Sequence, residues 1–333
     1  MQKDPKGKKI FVSNTIPDLG IELLRKEGFD VSAWAEDVLI TRDQLIAETK
    51  KCNALLSSGS AKIDEAFLSE CSHLDIISNF GVGYDNIDIA AATRLGIPVG
   101  NTPGVLNDAT ADTAFGLMIA VSRKMFYMHK KIERGEWKHF SPKDYLGIEL
   151  KNRTLGVFGL GRIGIEMAKR CKGAYNMNII YYNRNPNKEA EELLNAKYVI
   201  FDELLAQSDV LSVHSVLSEG TKGIFNKDAF DKMKSTSIFI NTSRGGVHNE
   251  EDLIEALNTK KIWGAGLDVT NPEPMQKDNP LLQMENVAVL PHIGSATVEA
   301  RDGMSRLAAE NIIGFYKDGL VLNIVNPEAQ SNK

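Results

Sequence analysis

The chain has 333 residues, 43% of them hydrophobic and 25% charged, with a formal net charge of -5. That length exceeds one ordinary core and suits two domains, and the composition is that of packed globular protein rather than disordered chain. The acidic balance offers no extended basic field for a nucleic acid, and no apolar run reaches the about 18 residues a membrane span needs, so neither partner is expected.

Residues 1–9 are charged and are followed by no apolar signal segment, and Cys52, Cys71 and Cys171 form an odd set without metal-ligand spacing. Reduced thiols in a cytoplasmic protein, with no metal, are the expectation. From residue 9 to residue 100, apolar runs at 10–13, 31–35, 54–57 and 76–80 alternate with helix-like stretches at 19–26, 42–51 and 64–71. Such alternation predicts parallel βα units. Residues 108–135 read as one long helix, with Asn107 or Asp108 as N-cap and Ala114, Leu117, Met118 and Val121 at helical spacing. Its length suits an inter-domain spacer. A second βα series starts at Thr154 and continues through 210–213, 238–240, 265–269 and 287–290. A final helix at 298–316 leads to an apolar run at 320–324, which is placed most economically back in the first domain.

The second series opens on Gly159-Leu160-Gly161-Arg162-Ile163-Gly164, between a strand at 154–158 and a helix at 165–171. A glycine turn in that context aims backbone N–H groups and a positive helix end at a pyrophosphate, so a dinucleotide is expected there. The next strand, 178–182, ends at Asn183-Arg184-Asn185-Pro186, where ribose recognition belongs. Further along, Arg244, Glu273 and His292 each follow a predicted strand of the same series. Parallel strands gather such loops at one sheet edge. A cation, a carboxylate and an imidazole together suit hydride transfer to the keto group of a 2-oxo acid: the imidazole donates a proton, the carboxylate favours its charged form, and the guanidinium forks onto a carboxylate and the keto oxygen.

Six ordered segments make the chain similar to the D-2-hydroxyacid dehydrogenases, and within them to the glyoxylate/hydroxypyruvate reductases. They are 81–88 (Gly-Val-Gly-Tyr-Asp-Asn-Ile-Asp), 101–105, the glycine turn, 240–245, 266–269 with Glu273-Pro274, and 291–297. The resemblance implies an α/β protein of two Rossmann-like or flavodoxin-like doubly wound parallel-sheet domains. Residues 1–101 and 299–333 would form a discontinuous substrate domain, and 102–298 an inserted NAD(P)-binding domain with the inter-domain helix and a dimerisation loop near 108–150. It also implies that Arg244 binds and polarises substrate, His292 is the acid/base and Glu273 orients it. Val82 and Gly83 would clamp the substrate carboxylate, with Ser295 also touching substrate. Gly159, Gly161, Arg162, Ile163, Gly164 and Ser215 would line the cofactor, and Thr242 and Asp268 its nicotinamide. Trp137 resembles a residue that reaches the partner subunit's site, which implies a homodimer.

Many family members end the second cofactor strand with Asp, which accepts the NAD ribose hydroxyls and repels a 2'-phosphate. This chain has Asn183-Arg184 instead, so NADPH is expected over NADH. Glyoxylate, hydroxypyruvate and 2-ketogluconate are the expected substrates, with loops around Ser58, Gly59 and Trp137 setting the choice. The alternatives are a phosphoglycerate or D-lactate dehydrogenase of the same scaffold, and a nucleotide-sensing corepressor. The chain carries neither the regulatory extension of the first nor basic or low-complexity extensions suited to the last, and the formate dehydrogenases place Gln where Glu273 stands.

Overall fold

A computed structural model describes residues 4–59 and 61–331; the first three residues of the charged N-terminal segment lie outside them. The chain divides into two compact units, residues 1–106 with 296–333, and residues 107–295. The divisions therefore fall a few residues inside those expected at 101 and 299.

The first unit runs β1 (Lys9–Val12), α1 (Asp18–Lys26), β2 (Asp30–Ala33), α2 (Arg42–Thr49), β3 (Ala54–Ser57), α3 (Glu65–Glu70), β4 (Ile76–Asn79), α4 (Ile89–Arg94) and β5 (Val99–Gly100). Its strands are all parallel in the order β2-β1-β3-β4-β5, the flavodoxin-like winding. Every residue of β3 and β4 is buried, as expected of parallel strands covered on both faces.

The second unit contains α5 (Asn107–Ser122), α6 (Met125–Glu133), β6 (Thr154–Phe158), α7 (Arg162–Tyr175), β7 (Asn178–Tyr182), α8 (Lys188–Leu194) and β8 (Lys197–Tyr198). It continues with α9 (Phe201–Gln207), β9 (Val210–Val213), α10 (Lys227–Lys232), β10 (Ile238–Asn241), α11 (Glu250–Asn258), β11 (Gly264–Leu267) and β12 (Val287–Val289). The order β12-β11-β10-β9-β6-β7-β8 reverses direction between β6 and β9. Ligands of doubly wound sheets bind at that reversal, beyond the carboxyl ends of the strands. α12 (Val298–Asp318) and α13 (Glu328–Ser331) belong to the first unit. There the tail pairs with β5: the Asn101 N–H donates to Asn323 O at 3.0 Å, and the Val325 N–H to Val99 O at 2.8 Å.

The single helix expected over 108–135 is two. α5 stops at Ser122, Lys124 takes a left-handed φ of 55°, and α6 starts afresh. The Ser122 carbonyl receives the Ile148 N–H at 3.0 Å. The Gly147 backbone lies so close that a Cβ there would stand 2.2 Å from the same oxygen. α5 is a core helix, with Ala111, Ala114, Leu117, Met118 and Val121 packed with Leu155, Val157 and Ile240 of the sheet. α6 buries no residue at all.

Candidate active site

Most of the sharply ending helices carry a side-chain cap: Thr41, Asp64, Asp88, Asn187, Asn226, Asn249 and Thr297 each accept an N–H from the first turn of the helix they precede. α7 does not. Its N-cap is Gly161, with no side-chain hydrogen bond, so the first N–H groups of a 14-residue helix are left to whatever approaches them. The three glycines of the turn serve different ends. Gly159 has φ 99°, and a Cβ on it would meet the His214 carbonyl at 2.9 Å; one on Gly164 would meet the Gly159 oxygen at 2.6 Å. Nothing of the protein lies within 4 Å of a Cβ on Gly161, so the space beside it is clear. Arg162 is exposed there and Ile163 half-buried.

Two further groups at the carboxyl ends of neighbouring strands carry buried hydroxyls with no partner among the described residues: Ser215 Oγ after β9, and Thr242 Oγ1 after β10. Buried hydroxyls left without partners are costly. Together with the open turn they fit a polar ligand laid across the switch point, as a dinucleotide would be. Asn183 follows β7, and its amide is engaged with the turn itself, Oδ1 accepting the Leu160 N–H at 2.7 Å. Arg184 beside it is exposed.

His292 follows β12 with a left-handed φ of 54°, uncommon for a residue with a Cβ. The conformation is held from one residue. The His292 N–H donates to the Asp268 carbonyl at 3.0 Å. The Ile293 and Gly294 N–H groups donate to the Asp268 carboxylate at 2.8 and 2.7 Å. Asp268 is buried, and burial raises its carboxyl above the ordinary value while these two amides pull the other way. His292 Nδ1 is hydrogen-bonded to Glu273 Oε1. Burial alone would raise the Glu273 carboxyl, but the His292 hydrogen bond and charge outweigh it, with a smaller contribution from Arg244, and the group sits below its ordinary value. With Nδ1 so held, Nε2 is the ring nitrogen left for a reacting atom.

Arg244 lies between β10 and a 3-10 turn, Gly245–Val247. A Cβ on Gly245 would stand 2.0 Å from the Thr270 carbonyl, so glycine there lets the Arg244 loop close against the loop that carries Glu273. Arg244, Thr242, Asp268, Glu273 and His292 thus stand at one edge of one sheet. Ser295, half-buried, comes next on the His292 loop.

Residues 115–294 match the family model described as "D-isomer specific 2-hydroxyacid dehydrogenase, NAD binding domain". The chain belongs to this family. It is 43% identical over 324 residues to a glyoxylate reductase of Thermococcus litoralis, covering 96% of this chain and 97% of that one. Among solved structures, it resembles a glyoxylate reductase from Paecilomyes thermophila (34% identity, TM-score 0.87, 97% of this chain and 99% of that chain). It also resembles an NADPH-dependent glyoxylate/hydroxypyruvate reductase from Sinorhizobium meliloti solved with NADP and malonate (32% identity, TM-score 0.82, 97% and 98%). The family, the paired parallel-sheet fold and the oxidoreductase class expected from the motifs are therefore borne out.

Val82 and Gly83 lie in the first unit, just beyond β4. Their turn is pinned by two amides to which the resemblance assigns no role: Asn79, outside the matching segments, and Asn101, which opens the one at 101–105. Asn79 Nδ2 donates to the Gly81 and Gly83 carbonyls at 3.3 and 2.8 Å, and Asn101 Nδ2 to the Val82 carbonyl at 2.9 Å. With those carbonyls held, the Val82 and Gly83 N–H groups donate to nothing among the described residues. Trp137 is on the segment after α6 and is 67% exposed. In the second unit Asn241, which lies in the 240–245 segment but has no role implied by the resemblance, holds the Arg244 turn. Among the described residues no helix is long and apolar enough to cross a membrane, and no cluster of three metal-ligating side chains occurs.

Proposed function

We propose that this dehydrogenase reduces a small 2-oxo acid, glyoxylate or hydroxypyruvate first and 2-ketogluconate as a further candidate, to the D-2-hydroxy acid, with NADPH preferred over NADH. The observation that carries the reading is the His292–Glu273 pair set at the same sheet edge as Arg244. A bound reduced nicotinamide supplies the hydride. Arg244 holds the substrate carboxylate and the developing negative charge on the keto oxygen, and His292 Nε2 delivers the proton that balances the hydride. Glu273 keeps the imidazole oriented through the bond to Nδ1. Val82 and Gly83 offer two N–H groups to the substrate carboxylate, with Ser295 as a further contact. Gly159, Gly161, Gly164, Arg162, Ile163 and Ser215 would hold the pyrophosphate and adenosine half of the cofactor, and Thr242 the nicotinamide half. Asp268 acts there through the His292 loop it anchors.

Oxidation of NADPH followed at 340 nm with each acid tests the assignment. Turnover with at least one is expected, with kcat falling about 10²- to 10⁴-fold in His292→Ala, the range general acid–base catalysis contributes. Silence with all three acids, or an unimpaired His292→Ala, would overturn it. The cofactor preference rests on Arg184 and on the absence of a carboxylate at Asn183. A charge pair at about 4 Å is worth about 4 kcal/mol at an effective dielectric of about 20, and less at an exposed site. Arg184→Ala should therefore lower the ratio of kcat/KM for NADPH over NADH about tenfold or more; an unchanged ratio sinks the preference.

The protein is read as a homodimer through α6 and the segment after it. Met125, Ile132, Trp137, Phe140, Tyr145 and Leu146 are all exposed there. A nine-residue helix with no buried side chain is not stable by itself in water, and an apolar surface of this kind marks an interface. A second copy of the chain is the occupant proposed.

A further inference from the structure

Asn241, the last residue of β10, is fully buried, and its side chain makes all four of the hydrogen bonds an amide can make. Oδ1 accepts from the Ser243 N–H at 3.0 Å and from the Ser243 hydroxyl at 2.9 Å. Nδ2 donates one hydrogen to the Arg244 carbonyl at 2.9 Å and the other towards His248 Nδ1 at 3.1 Å. The orientation of the amide is decided by these partners. Turned over, it would set its oxygen against the Arg244 carbonyl and its NH2 against the Ser243 N–H, two clashes in place of two bonds. The partners also decide the state of His248. Both Nδ2 hydrogens are donated, so His248 Nδ1 must be an acceptor, which makes the imidazole neutral with its proton on Nε2. That Nε2 is buried with no partner among the described residues. The proton therefore stands where it gains no bond, because Asn241 requires the other nitrogen bare.

His248 is itself fixed from several sides. Its N–H donates to Gly245 O at 3.2 Å, it bridges to Phe225, and its ring meets that of Phe239 edge-on, 5.7 Å between centroids. A buried imidazole so held is a rigid stop. It keeps the Asn241 amide from rotating, and the amide in turn fixes where Arg244 leaves the strand.

We propose that Asn241 and His248 are a positioning pair for Arg244: the acceptor on His248 locks the amide that holds the Arg244 carbonyl, and so sets the direction of the guanidinium. Both act through Arg244 and neither touches substrate. The inference rests on the proposed role of Arg244 in binding the 2-oxo acid.

The test compares wild type, His248→Leu, His248→Asn and Arg244→Ala in steady-state kinetics, using NADPH and whichever of glyoxylate and hydroxypyruvate turns over faster. Leu removes the acceptor while keeping apolar bulk; Asn sets a carbonyl oxygen near the place of Nδ1. Loss of one buried hydrogen bond is worth about a tenfold change. His248→Leu is therefore expected to raise the KM for the acid about tenfold with the KM for NADPH within about twofold of wild type, and His248→Asn to recover most of the loss. Equal KM values in wild type and His248→Leu overturn the pair. So does an Asn variant no better than Leu, or an NADPH KM that rises in step with that of the acid. An Arg244→Ala enzyme that keeps wild-type KM sinks the role of Arg244 instead. A second measurement does not depend on the Leu variant being stable: the nitrogen-15 imidazole spectrum of the wild-type protein should show His248, assigned by its loss in His248→Asn, as the Nε2-protonated tautomer. A proton on Nδ1 overturns the proposal.

Discussion

A Cβ on Gly164 would lie 2.6 Å from the Gly159 carbonyl oxygen, whereas one on Gly161, three positions earlier, would meet nothing within 4 Å. Single substitutions therefore separate folding from binding within one turn. Gly164→Ala should force the backbone apart and cost about 1–3 kcal/mol of stability, read as a lowered Tm. Gly161→Ala should leave Tm unchanged and weaken NADPH binding about tenfold in a fluorescence titration, since the methyl group intrudes only where a phosphate would stand. Equal losses of Tm in the two variants would contradict this division. The same scale shows a recurrent device: asparagine amides fix short functional turns. Asn79 and Asn101 hold the carbonyls of residues 81–83, and Asn241 holds Ser243 and Arg244. Asn101 and Asn241 lie within the matching segments and Asn79 just before one, but what their amides hold was not legible, because a side chain's partners depend on where the chain returns.

At the scale of elements, strand and helix periodicity placed most of the parallel units within a residue or two, since buried parallel strands are written as short unbroken apolar runs. The long helix is the exception. Its pattern continues past Ser122 without a proline or glycine to stop it. The break comes from Ile148, remote in sequence, whose N–H takes the Ser122 carbonyl, while Lys124 turns left-handed and joins Glu285 in a 2.9 Å ion pair. Beyond the break the chain forms an exposed helix and then a loop that exposes Trp137, Phe140, Tyr145 and Leu146. If a second copy covers this surface, Trp137→Ala should weaken the dimer by about 2 kcal/mol or more, as central aromatic anchors do, about 30-fold in its dissociation constant. Light scattering behind size exclusion over a dilution series measures the shift; a wild-type monomer at all concentrations would dispose of the dimer.

For the whole molecule, two buried imidazoles tie stability to pH. Burial pushes His214 and His248 down to about 4, and His214 Nδ1, like His248 Nε2, has no partner among the described residues. Unfolded, each imidazole titrates near its ordinary value of about 6.5. Between those values the unfolded chain binds more protons than the folded one, so the contribution is complete above about pH 6.5 and is lost as pH falls towards about 4. By about pH 5 the loss is on the order of 2 kcal/mol for each imidazole. Urea unfolding at about pH 7.5 and about pH 5 should show the lower midpoint in acid, with the difference roughly halved in His248→Asn. Identical midpoints would mean that neither imidazole is held neutral.

The order of strands and helices, the glycine turn, and the succession of Arg244, Glu273 and His292 at strand ends were determined by the sequence alone, because each depends on local periodicity or on residues adjacent in the chain. Tertiary structure decided the rest: the break before α6, the left-handed His292 held by Asp268, and the Asn241–His248 lock behind Arg244. Those features are hydrogen bonds between segments brought together by the parallel sheet, and their geometry exists only once the strands have been laid side by side.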